Sequence, residues 1–345
     1  MKQRVLRLLS LCILLSLPFA GAWGARTIRI KKKNETYSFS KIKENEMLKL
    51  SNGFGNITIV QWEKDEIMLE RKLTVSAPTE ESAQKKLESR VVKTKHIGNS
   101  YSFTLESLPQ KMPEDTYNLD DEWTVYVPKK KLSYEIKNQY GDVRLAAFFK
   151  CNYFRADVSF GDVYIQEVQS GISCNISITH GSLKVDRANK ANIRAGYSDV
   201  NLGEIDNLSF SVDYGDLDIQ KLGSGEGKTT FCEMTIAELE RKLNMPSCHY
   251  GKVDVTVKGS RFEGVDIATS YTDVKLSLPA KIRTAYDLKA KFGDIKVKSE
   301  AHSSVCQKSD VHTGFMSRNA GYIGVDSTPD ALIKITTEFA DITLR

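Results

Sequence analysis

Seven aspartates, Asp142, Asp162, Asp199, Asp216, Asp273, Asp294 and Asp341, each follow an aromatic residue by two positions in a phrase that recurs along the chain. Carboxylates at one place in a repeat are the constellation with the charge to hold a metal. Stacked in register they lie near 5 Å apart, where two unit charges repel by about 1 kcal/mol in water and by more once desolvated. Two arrangements relieve that repulsion: corner amides bonded to each carboxylate, or bound cations such as calcium. The nonapeptide calcium repeat is absent, which favours the amides. A cation ladder at Asp142, Asp162, Asp199, Asp216, Asp273 and Asp294 is the lesser alternative.

Other reactive residue types show no catalytic spacing. His96, His180, His249, His302 and His312 make no HExxH pair, and no GxSxG elbow occurs. GSGEGKT at 223–229 resembles a phosphate-binding loop, but Leu222 stands where its first glycine belongs, so the stretch reads as a flexible return loop. Apart from Cys12 there are five cysteines, Cys151, Cys174, Cys232, Cys248 and Cys306, whose spacing fits no zinc pattern. Isolated small core residues explain them best. The sequence therefore predicts no catalytic residue, no resident metal and no cofactor.

The elements that carry these residues follow from the repeat. The phrase is an aromatic, usually Gly-Asp, then an alternating apolar pair: FGNITI at Phe54, then YGDVRL at Tyr140, FGDVYI at Phe160, HGSLKV at His180, YSDVNL at Tyr197 and YGDLDI at Tyr214. Variants follow at Phe231, Tyr250, Tyr271, Phe292 and Phe339. From Tyr140 to Phe292 the intervals are 17–21 residues, the signature of a solenoid. Apolar residues alternate up to the aromatic (Val158, Phe160) and again after it (Val163, Ile165), but displaced by an odd step. Both halves face one core only if the chain bends between them, and Gly-Asp suits a corner. By that parity the aromatics point inward as a core ladder. Each repeat is too short to close a core alone, and stacking solves this. The expected fold is all-β: a β-solenoid resembling a parallel β-helix, about 17–21 residues per coil, over residues 131–345. A β-sandwich is the competitor, though its hairpins need no identical corner in every repeat.

Residues 25–130 differ. Thr79, acids after it and a basic end predict a helix to about Val92, followed by strands YSFTLES and EWTVYVP; this α+β segment is expected to cap the first coil. The polar interval between Phe292 and Phe339 is expected to form a degenerate coil with a protruding loop. Residues 1–24 carry a cationic start, an apolar run from Leu8 to Leu17 and small residues, which predicts a signal peptide cut after position 22 or 24. No later segment is apolar enough to span a membrane. Lys and Arg outnumber Asp and Glu 49 to 44, and losing Lys2, Arg4 and Arg7 with the leader brings the net charge to +2. So even a balance argues against nucleic acid as partner.

The segment LSNGFGNITIVQWEKDEI, a helix, the strand EWTVYVPKK and serial YGDV-like coils together resemble the bacterial adhesin-like β-helix proteins frequent in Bacteroidota, whose function is unknown. The resemblance spans about residues 26–345. It implies an exported, non-catalytic module of the periplasm, outer surface or surrounding medium, with a protein or glycan of the cell envelope or host surface as partner. A carbohydrate-active enzyme on a β-helix and a periplasmic scaffold or sensor partner are the alternatives.

Overall fold

Val158 and Val163 lie five residues apart on either side of Phe160-Gly161-Asp162, and both are buried, so the corner does turn two strand halves toward one core. The computed structural model describes residues 28–107, 118–298, 305–324, 329 and 331–345. In chain order its elements are β1 Arg29–Ser40, β2 Met47–Asn52, β3 Asn56–Trp62, β4 Glu66–Ala77, α1 Glu80–Glu88, β5 Arg90–Ile97, β6 Ser100–Ser107, β7 Asn118–Pro128, β8 Leu132–Asn138 and β9 Val143–Ser159. There follow β10 Val163–Asp213, β11 Leu217–Thr230, β12 Glu233–Val257, β13 Gly264–Ser277, β14 Thr284–Lys291, β15 Ile295–Val297, β16 Val305–Thr313, β17 Met316–Ile323, β18 Ala331–Glu338 and β19 Ile342–Leu344. From β8 to β13 each strand pairs in parallel with the next, in register apart from local bulges. The fold is a parallel β-solenoid around one continuous apolar core.

The aromatics are not in that core. Tyr140, Phe160, Tyr197, Tyr214, Phe231, Tyr250, Tyr271, Phe292 and Phe339 are 43–58% exposed. The parity argument fails because it assumes extended dihedrals throughout, whereas from Phe160 onward each of these aromatics has φ between +51° and +59°. That left-handed turn falls on the ring-bearing residue and rotates it outward. Backbone pairing survives the turn: the Phe160 N–H donates to the Thr179 carbonyl and the Tyr214 N–H to that of Thr230, each at 2.9 Å. Glycine serves a different need. A Cβ on Gly161 would lie 2.1 Å from the carbonyl oxygen of Gly141 in the adjoining coil, so the residue allows close backbone approach. Where the phrase departs from glycine, Ser198, Cys232, Thr272 and Ala340 are small and buried.

Both ends of the stack break sequence order. At the carboxyl end, β18 pairs in parallel with β13 on one side and β14 on the other, so the Phe339 coil is inserted ahead of the Phe292 coil. The interval between them does not form a degenerate coil. Between β15 and β18 its described part is the antiparallel hairpin β16–β17, whose second strand pairs antiparallel with β14 and closes the stack. At the amino end, β2 and β3, which carry the Phe54 phrase, lie between β8–β9 and β6–β7. Strands β4, β1 and β5 complete this end in antiparallel register. Thr79 caps α1, accepting from the Ser82 N–H at 3.1 Å, and Ala83 and Leu87 pack on Leu73, Val75 and Ala77. Antiparallel closure and the lysines of β1 blunt edges that would otherwise template pairing between molecules.

Candidate functional site

The corner phrase builds two parallel tracks along one side of the solenoid. The first is a ladder of rings running Phe54, Tyr140, Phe160, His180, Tyr197, Tyr214, Phe231, Tyr250, Tyr271, Phe339, Phe292, Phe315. From Tyr140 to Phe315 neighbouring centroids are 4.8–5.1 Å apart and interplanar angles 3–21°. Ring faces cover one another and only the edges meet solvent, so the ladder offers no flat platform to an incoming sugar. Holding a non-glycine residue left-handed costs on the order of 1–2 kcal/mol, and a stacked aromatic pair contributes about 0.5–1.5 kcal/mol. An interior ring with two neighbours thus offsets its own strain. Tyr214→Ala, which keeps the strain and loses the stacking, is expected to destabilise more than Tyr214→Gly, by about 1 kcal/mol. Equal denaturation midpoints, or the reverse order, would contradict this.

The second track is the aspartate row. Asp142 Oδ1 accepts the backbone N–H of Asp162 at 2.9 Å, Asp199 Oδ1 that of Asp216 at 3.1 Å, Asp273 Oδ1 that of Asp341 at 2.9 Å and Asp341 Oδ1 that of Asp294 at 2.8 Å. Asp162 Oδ1 accepts both the amide and the hydroxyl of Ser182 at 2.8 Å. Charge-assisted bonds to the next coil are what such a row of carboxylates needs. Among the described residues, no three His, Cys, Asp or Glu side chains converge to hold a metal ion.

Cys151, Cys174, Cys232 and Cys248 are buried and unbridged. Burial pushes the Cys151 thiol up to about 11 and the Cys232 thiol up to about 12. These four are expected to resist iodoacetamide at pH 8 until the chain unfolds, and rapid labelling of any of them in the native protein would refute that packing. His302, and the side chain of Cys306, lie outside the described residues, as do Cys12 and the leader. The GSGEGKT stretch is not a flexible loop. It lies within β11, paired to β10 and β12.

A buried charge cluster stands at the amino end of the ring ladder, unforeseen from the sequence. Arg71 grips Asp121 through Nε at 2.8 Å and Nη2 at 2.7 Å, and both side chains are fully buried. Arg71 Nη1 also donates to Glu35 at 2.8 Å and to the Arg90 carbonyl at 3.0 Å. Trp123 Nε1 donates to Asp121 at 3.1 Å. The Arg90 guanidinium reaches the Phe54 carbonyl and lies 5.9 Å from that ring, so the cluster joins the cap to the ladder. Burial alone would raise the Glu35 carboxyl, but bonds from Lys33, Tyr37 and Arg71 outweigh it and hold the group below its ordinary value. Burial and Glu35 together push Tyr37 up to about 12. A sequence signal existed: Ile67, Leu69, Arg71, Leu73 and Val75 share one face of β4, and a charge at an inward position demands a buried partner.

Opposed to these closed features are open depressions where the coils turn on another side. One, of about 400 Å³, is lined by Lys190, Asn207, Ser224, Glu226, Lys242 and Asn244. A smaller one holds Glu167 and Glu204 on either side of Arg187, at 3.5 and 3.7 Å.

The sequence pattern of the Toastrack DUF4097 family matches residues 45–345, from β2 through the inserted last coil. The chain belongs to the Toastrack DUF4097 family. No curated relative matches it. Among solved structures, this Toastrack chain is similar to a "putative lipid binding protein" from Parabacteroides distasonis, with 12% identity, coverage of 90% of this chain and 96% of that one, and a TM-score of 0.41. It is also similar to a "putative adhesin" from Parabacteroides merdae (11% identity, 71% and 96% coverage, TM-score 0.40). A "putative adhesin" from Bacteroides fragilis matches at 13% identity, 91% and 97% coverage and a TM-score of 0.31. No helix among the described residues of the Toastrack chain is long and apolar enough to cross a membrane.

Proposed function

We propose that this chain is an exported, non-catalytic Toastrack solenoid that binds a protein or glycan of the cell envelope or a host surface. In this reading residues 1–24 are its leader, 25–130 its cap and 131–345 its recognition unit. The observation that carries the reading is the file of open depressions along the coils, which suits an extended partner. The carbohydrate-active alternative asks for carboxylates converging in a groove, and Glu167 and Glu204 beside Arg187 come nearest to that. Yet the same cross-coil construction recurs where Lys221 meets Glu238 and Glu240, and where Lys275 meets Asp254, as ordinary rungs of a sheet surface. The aspartate row is read as corner structure in place of a cation ladder. Fractionating cells that produce the full chain tests the export, and binding of the purified chain to envelope and host-matrix glycans and proteins tests the role. Recovery in the cytoplasm, negative binding throughout, or release of sugar products would each overturn the proposal.

A further inference from the structure

Near-even net charge conceals a local excess of lysine. Lys131 stands before β8, Lys150 within β9 and Lys190 within β10, at the same turn of the stack with the Gln169 coil between the last two, and they line a depression of about 270 Å³ with no carboxylate in its wall. None of the three ammonium groups has a carboxylate partner among the described residues. Lys131 lies along the floor: its Nζ is 3.2 Å from where a Cβ on Gly171 would stand, two coils on, so a glycine there leaves the ammonium its berth. Gln169 pairs with Lys150 across the coils. Asn189 braces the wall, with its Oδ1 accepting the Ser170 N–H and its Nδ2 donating to the Ser170 carbonyl, both at 2.9 Å.

A second depression of about 390 Å³ shares Lys131 and Lys150 and adds Lys129, Lys130, Gln61 and Phe148. Here Lys129 pairs with Glu63 and Lys130 with Asp65. Its one lining carboxylate, Glu44, accepts the Lys131 backbone N–H at 2.9 Å. Phe148 is 44% exposed, and no other ring among the described residues stacks on it as the ladder rings stack on one another.

From this geometry we propose that the paired depressions bind an acidic polysaccharide, laid along the solenoid axis with its carboxylates or sulfates on Lys131, Lys150 and Lys190. Three features select this occupant. Unpaired ammonium groups on three of four neighbouring coils, spaced by the sheet repeat of about 4.8 Å or twice it, fit charges recurring along an extended sugar chain. The exposed, unstacked ring of Phe148 suits the apolar face of a pyranose ring. Gln61 and Gln169 present amides to hydroxyl groups. The inference rests on the proposed binding role and names its ligand class.

Calorimetry on the full chain with polygalacturonate and with heparin, against neutral dextran and duplex DNA, tests it. The expected result is binding to at least one of the two acidic glycans that weakens with salt. It should fall at least about tenfold in the triple variant Lys131→Gln/Lys150→Gln/Lys190→Gln, with the melting temperature unchanged because all three side chains meet solvent. Phe148→Ala is expected to weaken binding while leaving its salt dependence intact. The two glycan arms identify whether carboxylate or sulfate is preferred. Failure of both glycans, equal binding of dextran, tighter binding of DNA, or an unaffected triple variant would overturn the site. If the chain holds envelope material but neither glycan, the site falls and the binding role stands. Should the chain release sugar products from a bound glycan, the site stands and the non-catalytic role falls.

Discussion

An Asp121→Ala variant is expected to lose about 3–5 kcal/mol of stability at the amino end of the solenoid, because it leaves Arg71 buried without its bidentate partner. Solenoid stability is a chain of neighbour terms, so the loss stays local. Hydrogen exchange is expected to accelerate in β4 and β7, which Arg71 and Asp121 bridge, and to leave β11 and β12 at their native rates. The double variant Arg71→Met/Asp121→Leu, which removes both members of the bidentate pair, is expected to recover part of the loss, since Arg90, 3.4 Å from the same carboxylate, still loses that contact. An Asp121→Ala protein whose β4 and β7 exchange as slowly as the native ones would show that the pair contributes nothing to the cap.

Deleting residues 331–345 is expected to do more damage than loss of a terminal coil. In a stack that followed sequence order, the deletion would remove one end layer. Here β18 pairs with β13 and β14, while Phe339 stacks 4.8 Å from both Tyr271 and Phe292. Removing the insert separates β14 and the β16–β17 hairpin from the rest of the core. Limited proteolysis is expected to cut within β14 and the β16–β17 hairpin in the truncated chain and not in the native one. The opening constant there should rise by roughly a hundredfold, equivalent to about 2.8 kcal/mol. Continued protection of β14 and the hairpin would mean that β14 can dock on β13 directly.

The solenoid was legible because the corner phrase recurs at nearly constant spacing, and α1 was legible from its Thr79 cap and acidic first turn. Ring orientation was not. Alternation counts positions on an extended strand, and one left-handed dihedral at Phe160 or Tyr214 reverses the face without changing the count. Nor was the order of the last coils, since interchangeable phrases carry no address: FADITL at Phe339 fits between two neighbours as well as after one. The Arg71–Asp121 pair could have been suspected from a charge on the apolar face of β4. Lys131, Lys150 and Lys190 could not, because they become neighbours only through the coil length, and total charge averages them away.

The threading of β18 and β19 into a slot between earlier strands also bears on when the molecule can finish folding. However much of the polypeptide has left the ribosome, the gap beside β13 stays empty until residue 345 has been made. Every shorter nascent form therefore lacks a closed stack. Closure is thus a late step, timed by where β18 and β19 fall in the chain and not by how many coils have already been made.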